Sequence, residues 1–174
     1  MAGLPPNGCE ILKTELSREN FSAEGMRFAL IVSRWNHDLT SRLAAGAMEA
    51  LVESGASADL VDRYDVPGAF ELPLLCQKAA AKRHYDAVIA LGVVIRGDTP
   101  HFEYVAGQAA AGIMNASLNT GIPVMFGVIT VDTLEQALAR TGEKADNKGY
   151  EAALSAIETV HAIRALNARF EPNF

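Results

Sequence analysis

Between Asp86 and Glu103 the chain reads DAVIALGVVIRGDTPHFE, and the polar end of this stretch carries the residue types that anion binding and proton transfer need. Gly97 has no Cβ, so the backbone there can turn sharply and come close to a ligand. Asp98 and Thr99 stand where a helix N-cap belongs, and Pro100 suits the first helical position because it forfeits no useful donor. A helix is therefore expected to open with His101, Phe102, Glu103 and Tyr104 in its first turn. The free amides and partial positive charge of such an end suit a small anion, a phosphate above all. His101 lies beside that position. An imidazole, which titrates near ~6.5 when unperturbed, can shuttle protons to and from a bound phosphate ester. On residue type alone the same features also describe a plain N-cap followed by a solvated surface histidine.

Such a cluster needs a strand behind it and neighbours beside it. Ala87 to Ile95 is a Val/Ile-rich apolar run, too short to span a membrane and suited to a central strand covered on both faces. Three more strands are expected at Arg27 to Val32, Leu60 to Val66 and Pro123 to Thr130. Helices are expected between and after them. The first runs through Leu43, Ala47, Leu51 and Val52, with Asp38, Thr40 or Ser41 as its cap and Gly55 just past its end. The second leads from Phe70, Glu71 and Leu72 to about Lys82, after the Pro67-Gly68 turn. The third runs from His101 to about Asn119. A fourth starts from a capping box at Thr133 and Gln136 and stops at Gly142. After a charged connector, EKADNKG, the last helix covers Tyr150 to Leu166.

Strands alternating with helices imply a parallel sheet with helices on both faces, joined by right-handed crossovers. In such sheets ligands bind beyond the carboxyl ends of the strands, where strand order reverses. The loops at 33–36 (SRWN), 68–71 (GAFE) and 96–99 (RGDT) all follow strands, so they gather on one rim.

The 174 residues fit one domain spanning 1–174, and 49% hydrophobic with 21% charged residues is the balance of a globular protein. A formal charge of −6 argues against a nucleic-acid footprint. Cys9 and Cys76 sit in no metal-ligand or CxxC spacing and read as reduced structural thiols of a cytoplasmic protein. The opening MAGLPPNGCE has no basic-then-apolar leader, so residues 1–20 read as a loose tail, with no membrane partner.

Taken together, SRWN, VPGAFELP, LGVVIRGDTPHFEYV, PVMFGVIT and ARTGEKADNKG, in this order over about Arg27 to Leu166, resemble the lumazine synthase family. The resemblance implies a flavodoxin-like three-layer αβα sandwich on a four-stranded parallel sheet. It implies a transferase of riboflavin biosynthesis that condenses 5-amino-6-(D-ribitylamino)uracil with 3,4-dihydroxy-2-butanone 4-phosphate to 6,7-dimethyl-8-ribityllumazine. Phosphate and water leave, with neither metal nor redox cofactor. By the same resemblance Trp35 stacks on the pyrimidine, and Ala69, Phe70 and Glu71 hold the ribityl chain. Val93, Val94 and Ile95 face the pyrimidine edge with backbone groups, Asp98 and Thr99 bind phosphate, and His101 donates protons. Phe126 and Arg140 reach the substrate from a neighbouring subunit of a pentamer, up to twelve of which close a sixty-subunit shell. Riboflavin synthase is a candidate partner of that shell. Lys144 and Lys148 match basic positions of the family. Asp146 departs from it, standing where Gly is common in a turn linked to pentamer association.

From the residues alone, Trp35 also reads as a packing aromatic, Glu71 as a first-turn helix acid and Arg140 as a cation at a helix end. Two further readings keep the fold and change the function. One is a flavin- or lumazine-binding module or container, which would need neither His101 nor Arg140. The other is a different phosphate-handling enzyme, which would not require VPGAFELP.

Overall fold

The computed structural model describes residues 21–170, so the expected tail over 1–20 and Cys9 lie outside the described residues. Four strands, β1 (Phe28–Ser33), β2 (Val61–Val66), β3 (Ala87–Ile95) and β4 (Val124–Val131), form one parallel sheet in the order β2-β1-β3-β4. This order explains the strand sequences. Inner strands β1 and β3 are covered on both faces, so FALIV and AVIALGV are buried without a break. At the edge, β2 buries only its terminal valines and exposes Asp62, Arg63, Tyr64 and Asp65, a charged edge that resists pairing with another strand.

Helices α1 (His37–Glu53) and α5 (Lys148–Phe170) cover one face, packing on Phe28, Leu30, Val32, Ile89 and Leu91. Helices α2 (Leu72–Ala81) and α3 (His101–Thr120) cover the other, on Ala29, Ile31, Val88 and Ala90. Alternate residues of each inner strand thus feed opposite cores, as the period of two requires. Cutting Leu91 back to alanine would cost about 2–5 kcal/mol by leaving a cavity in the larger core. A short helix, α4 (Leu134–Leu138), follows β4. Among the described residues no helix is long and apolar enough to cross a membrane.

The chain leaves β1 for β2 on one side and returns to β3 on the other. The connections therefore diverge above the β1/β3 pair, which makes that point the crevice of the sheet.

Several local expectations are corrected. Helix α1 is not capped by Asp38, Thr40 or Ser41. It begins at His37, after Asn36 adopts a left-handed backbone (φ 59°, ψ 45°) without a side-chain cap. Likewise neither Asp98 nor Thr99 caps α3; Pro100 itself holds the cap position, with φ −62° and ψ −1°. Gly97 has no positive φ, and a Cβ there would meet nothing within 4 Å, so the turn itself does not demand glycine. The segment Ala69–Glu71 is a 3-10 turn before α2 starts. Helix α4 ends at Leu138 rather than Gly142, because the chain turns back for an antiparallel bridge between Thr141 and Asn147. Helix α5 starts at Lys148 rather than Tyr150 and runs past Leu166. The Thr133 cap holds: its hydroxyl accepts from the Gln136 amide at 3.3 Å, while the Gln136 side chain accepts from Asp132 rather than from Thr133.

Candidate active site

Three loops meet over the crevice, and backbone bonds zip them together. The Arg34 amide donates to Val66 at 2.9 Å and the Trp35 amide to Pro67 at 3.2 Å, tying the loop after β1 to the loop after β2. Asn36 reaches the other way, its side-chain amide donating to the Val93 carbonyl at 3.0 Å. With its backbone so fixed, Trp35 holds its indole 73% exposed above the rim. An aromatic residue this open is not part of the core, and its ring face is free to stack.

Gly68 lies between Trp35 and Glu71. A Cβ there would stand 3.3 Å from Trp35 Cδ1 and 3.1 Å from Glu71 Oε2, so any larger residue would make these two side chains give by a few tenths of an ångström. Glu71 Oε2 accepts from the Gly68 amide at 2.8 Å, which is half of a capping box. Among the described residues Oε1 makes no hydrogen bond, so this oxygen is open to ligand hydroxyls. Ala69 is buried and Phe70 is 57% exposed beside it. Val93 is buried, and Val94 and Ile95 are half-buried. The Val93 carbonyl already accepts from Asn36, which leaves it one lone pair for anything else.

Beyond β3 the loop carrying Asp98 and Thr99 is held by Arg96. Its backbone amide donates to Val131 at 2.9 Å, and its guanidinium bonds Asp132 at 2.7 Å, pairs with Glu103 and lies 4.1 Å from the Phe102 ring centroid. The carboxylates of Glu103 first, then Asp132, raise the guanidinium pKa further. Arg96 therefore braces the ends of β3 and β4 and the first turn of α3. This brace was not legible in the sequence, where Arg96 looks like any basic loop residue. Asp98, Thr99 and His101 are exposed, and among the described residues their side chains make no hydrogen bond or ion pair. With Asp98 neither capping nor paired, the loop presents its backbone amides and the Thr99 hydroxyl to solvent, as an anion site would require.

Phe126 and Arg140 stand elsewhere. Both line an open cavity of about 470 Å³ against the outer edge strand β4 and helix α5, shared with Thr130, Lys148, Glu151 and Ser155. None of the rim residues lines it. Phe126 pairs with Ala90 in the register of β3 and β4, and Ala90 precedes Ile95 by five positions. At ~3.3 Å per residue it therefore lies roughly 16 Å below the end of β3. The Arg140 guanidinium donates to the Gln136 carbonyl at 2.9 Å, keeping its other N–H groups for the cavity. The two lysines of the connector separate. Lys148 enters this cavity and pairs with Glu151, whereas Lys144 turns to α1 and bonds Glu53 at 2.7 Å. The spacing Lys148 to Glu151, about one helical turn, suits this pair.

Away from both clusters, Cys76 lies on the buried face of α2 and desolvation pushes its thiol pKa up to about 12, which suits an inert packing residue.

Comparison with known proteins agrees with this geometry. Residues 25–164 match the profile of the 6,7-dimethyl-8-ribityllumazine synthase family. The 6,7-dimethyl-8-ribityllumazine synthase of Syntrophus aciditrophicus is 54% identical over 144 residues, 83% of this chain and 94% of the relative. That of Desulfatibacillum aliphaticivorans is 54% identical over 140 residues, 80% of this chain and 90% of the relative. That of Deinococcus deserti is 52% identical over 144 residues, 83% and 92% of the two chains. A profile match over residues 25–164 and identities of 52–54% across most of each relative place the chain in the 6,7-dimethyl-8-ribityllumazine synthase family.

Proposed function

We propose that the condensation this family carries out, of 5-amino-6-(D-ribitylamino)uracil with 3,4-dihydroxy-2-butanone 4-phosphate, takes place here in a site completed by a second copy of the chain. One copy supplies the rim. The pyrimidine stacks on Trp35, its edge meets backbone groups of Val93, Val94 and Ile95, and the ribityl hydroxyls donate to the open oxygen of Glu71 beside Ala69 and Phe70. The butanone phosphate lies on the amides of Gly97 to Thr99 with the Thr99 hydroxyl. Asp98 bounds this loop. The neighbour supplies Phe126, which covers the substrate, and Arg140, a bidentate partner for the phosphate.

The reaction then needs little beyond placement and proton transfer. The 5-amino group attacks the ketone carbonyl and water leaves. A proton is lost from C3 as the phosphate is expelled from C4, the resulting enol is reprotonated on carbon to a ketone, the ribitylamino nitrogen closes the ring on this new carbonyl, and water leaves again. His101, beside the phosphate loop, passes protons to departing oxygens and takes them from carbon and nitrogen. Holding two reactive partners in register supplies much of the rate.

What carries the shared site is the position of Phe126 and Arg140 in one cavity, on the open edge of β4 and away from the rim of their own chain. The expectation of a fourth helix running on to Gly142, with Arg140 near its end, does not hold, since α4 spans only Leu134–Leu138. The cavity replaces that argument. A contact joining the rim of one copy to the β4 edge of the next is head-to-tail, and such contacts close into rings. Helix α3 adds an unpartnered face, with Tyr104, Met114 and Leu118 exposed, next to exposed Leu74 of α2. The family's pentamer, and the shell of twelve pentamers with riboflavin synthase as a candidate partner, fit this arrangement, in a cytoplasmic protein.

Subunit mixing tests it. His101→Ala and Arg140→Ala chains, each strongly impaired, are unfolded and refolded together, and lumazine formation is followed by fluorescence. Partial recovery is expected, because some interfaces pair an intact His101 with an intact Arg140. Mixed assemblies as impaired as either parent, while wild type refolds normally, would exclude a shared site.

A further inference from the structure

We propose that Asn147 is a positioning residue for the phosphate half-site: its buried amide pins the connector between α4 and α5 onto α1, and so sets where Arg140 stands. The proposal rests on the reading above, in which Arg140 meets the substrate phosphate.

Asn147 is 2% exposed, and every hydrogen-bonding position of its side chain is used. Its Nδ2 donates to the Arg42 carbonyl of α1 at 2.9 Å and to the Gly142 carbonyl of the connector at 2.9 Å. Its Oδ1 accepts from the amides of Gly149 at 2.9 Å and Tyr150 at 3.2 Å. Exchanging oxygen and nitrogen would oppose acceptor to carbonyl and donor to amide, so the partners fix the orientation. The oxygen is the N-cap of α5. The nitrogen does something a cap does not: it ties the connector's two ends to each other and to α1.

Around it the connector closes on itself. Thr141 bridges Asn147, and the Lys148 amide donates to the Arg140 carbonyl at 2.9 Å. Arg140 and Lys148, whose side chains share the β4 cavity, are thus joined through the backbone that Asn147 anchors. Its seat on α1 exists because position 46 is glycine, where a Cβ would fall 2.5 Å from Asn147 Cγ. Two like charges held at one wall of a cavity repel. A fixed backbone keeps them there without needing the anion first.

The test separates cap from anchor. Asn147→Ser keeps an oxygen to cap α5 and loses the donors to Arg42 and Gly142. In the full-length enzyme, well below its melting temperature, we expect about tenfold or greater rises in KM for the butanone phosphate and in Ki for inorganic phosphate, the scale on which misplaced groups lose function. KM for the ribitylaminouracil should stay within about twofold, because Trp35 and Glu71 stand on other loops. Gly46→Ala, which displaces the amide from the α1 side, should give the same split and serves if Asn147→Ser folds poorly. A variant that melts earlier yet keeps both constants at wild-type values shows a purely structural residue and overturns the proposal. Arg140→Ala runs in parallel. Should it weaken phosphate while neither anchor variant does, the positioning role falls and the phosphate reading stands. Should it leave Ki for phosphate unchanged, the phosphate reading falls and takes the positioning role with it.

Discussion

The side-chain amide of Asn36 donates to the backbone carbonyl of Val93 across the β1/β3 crevice at 3.0 Å, and it does so from a left-handed backbone. One residue thereby turns the chain into α1, fixes Trp35 beside it and closes the sheet at its switch point. Alanine would lose the bond, worth about 0.5–1.5 kcal/mol, and add the left-handed penalty of roughly 1–2 kcal/mol. Glycine would lose only the bond. Asn36→Ala is therefore expected to be less stable than wild type by about 2 kcal/mol and Asn36→Gly by about 1. Denaturant unfolding measures this. Because Trp35 is the chain's single tryptophan, its fluorescence should also shift in both variants. Equal stabilities for Ala and Gly would show that the left-handed backbone costs nothing here.

Replacing His101 by alanine should slow turnover about 10²-fold, the low end for a general acid or base, since proximity of two reactive substrates supplies much of the rate. Binding of a ribityl-pyrimidine analogue should be nearly unchanged. Fluorescence assays of lumazine formation across pH decide it, and a variant with wild-type turnover at every pH removes His101 from the mechanism.

Glu53 accepts from the Lys144 ammonium at 2.7 Å and the Tyr150 hydroxyl at 2.8 Å, which in that order hold its carboxyl below the usual value. A depressed folded-state pKa means that the unfolded chain takes up this proton first. The stabilisation is present above the ordinary carboxylate range and is lost as pH falls through the folded value. Wild type should melt above Glu53→Gln at neutral pH, and the gap should close as pH falls through and below the ordinary carboxylate range. A gap that persists or widens in acid contradicts the assignment. The pair is exposed, so added salt should narrow the gap as well.

Ser33 ends β1 with a hydroxyl that is fully buried and, among the described residues, unpartnered. Leaving such a group unsatisfied costs about 1–3 kcal/mol. Ser33→Ala should therefore be at least as stable as wild type, with a gain of about 1 kcal/mol in denaturant unfolding. A loss of similar size would show that the hydroxyl has a partner in solution.

How much of this was legible beforehand follows from what each signal depends on. The β3 run from Ala87 to Ile95 was readable to the residue, because a strand covered on both faces has no polar position to blur its ends. Thr133 was readable as a cap for a similar reason: its bond to Gln136 is local, three residues away. That the loops carrying Trp35 and Glu71 share one rim followed from the alternation of elements in a parallel sheet, whereas the order β2-β1-β3-β4, and so the crevice, came only with the fold. The caps of α1 and α3, Asn36 and Pro100, were misread, although α3 opens at His101 as expected. Capping preference ranks side chains by what they can bond, and here a left-handed asparagine bonded to a distant carbonyl and a helical proline took the positions instead. Arg96 and Asn147 gave no signal at all, since their partners Asp132, Arg42 and Gly142 lie on other elements or across a loop. Residue types and local spacing pointed to a place for anion binding and proton transfer, and the likeness of five motifs in order to one family named the reaction. Only the folded backbone decided that Phe126 and Arg140 face away from the rim they are proposed to serve, because a strand's register and a connector's return path are set by contacts far apart in the chain.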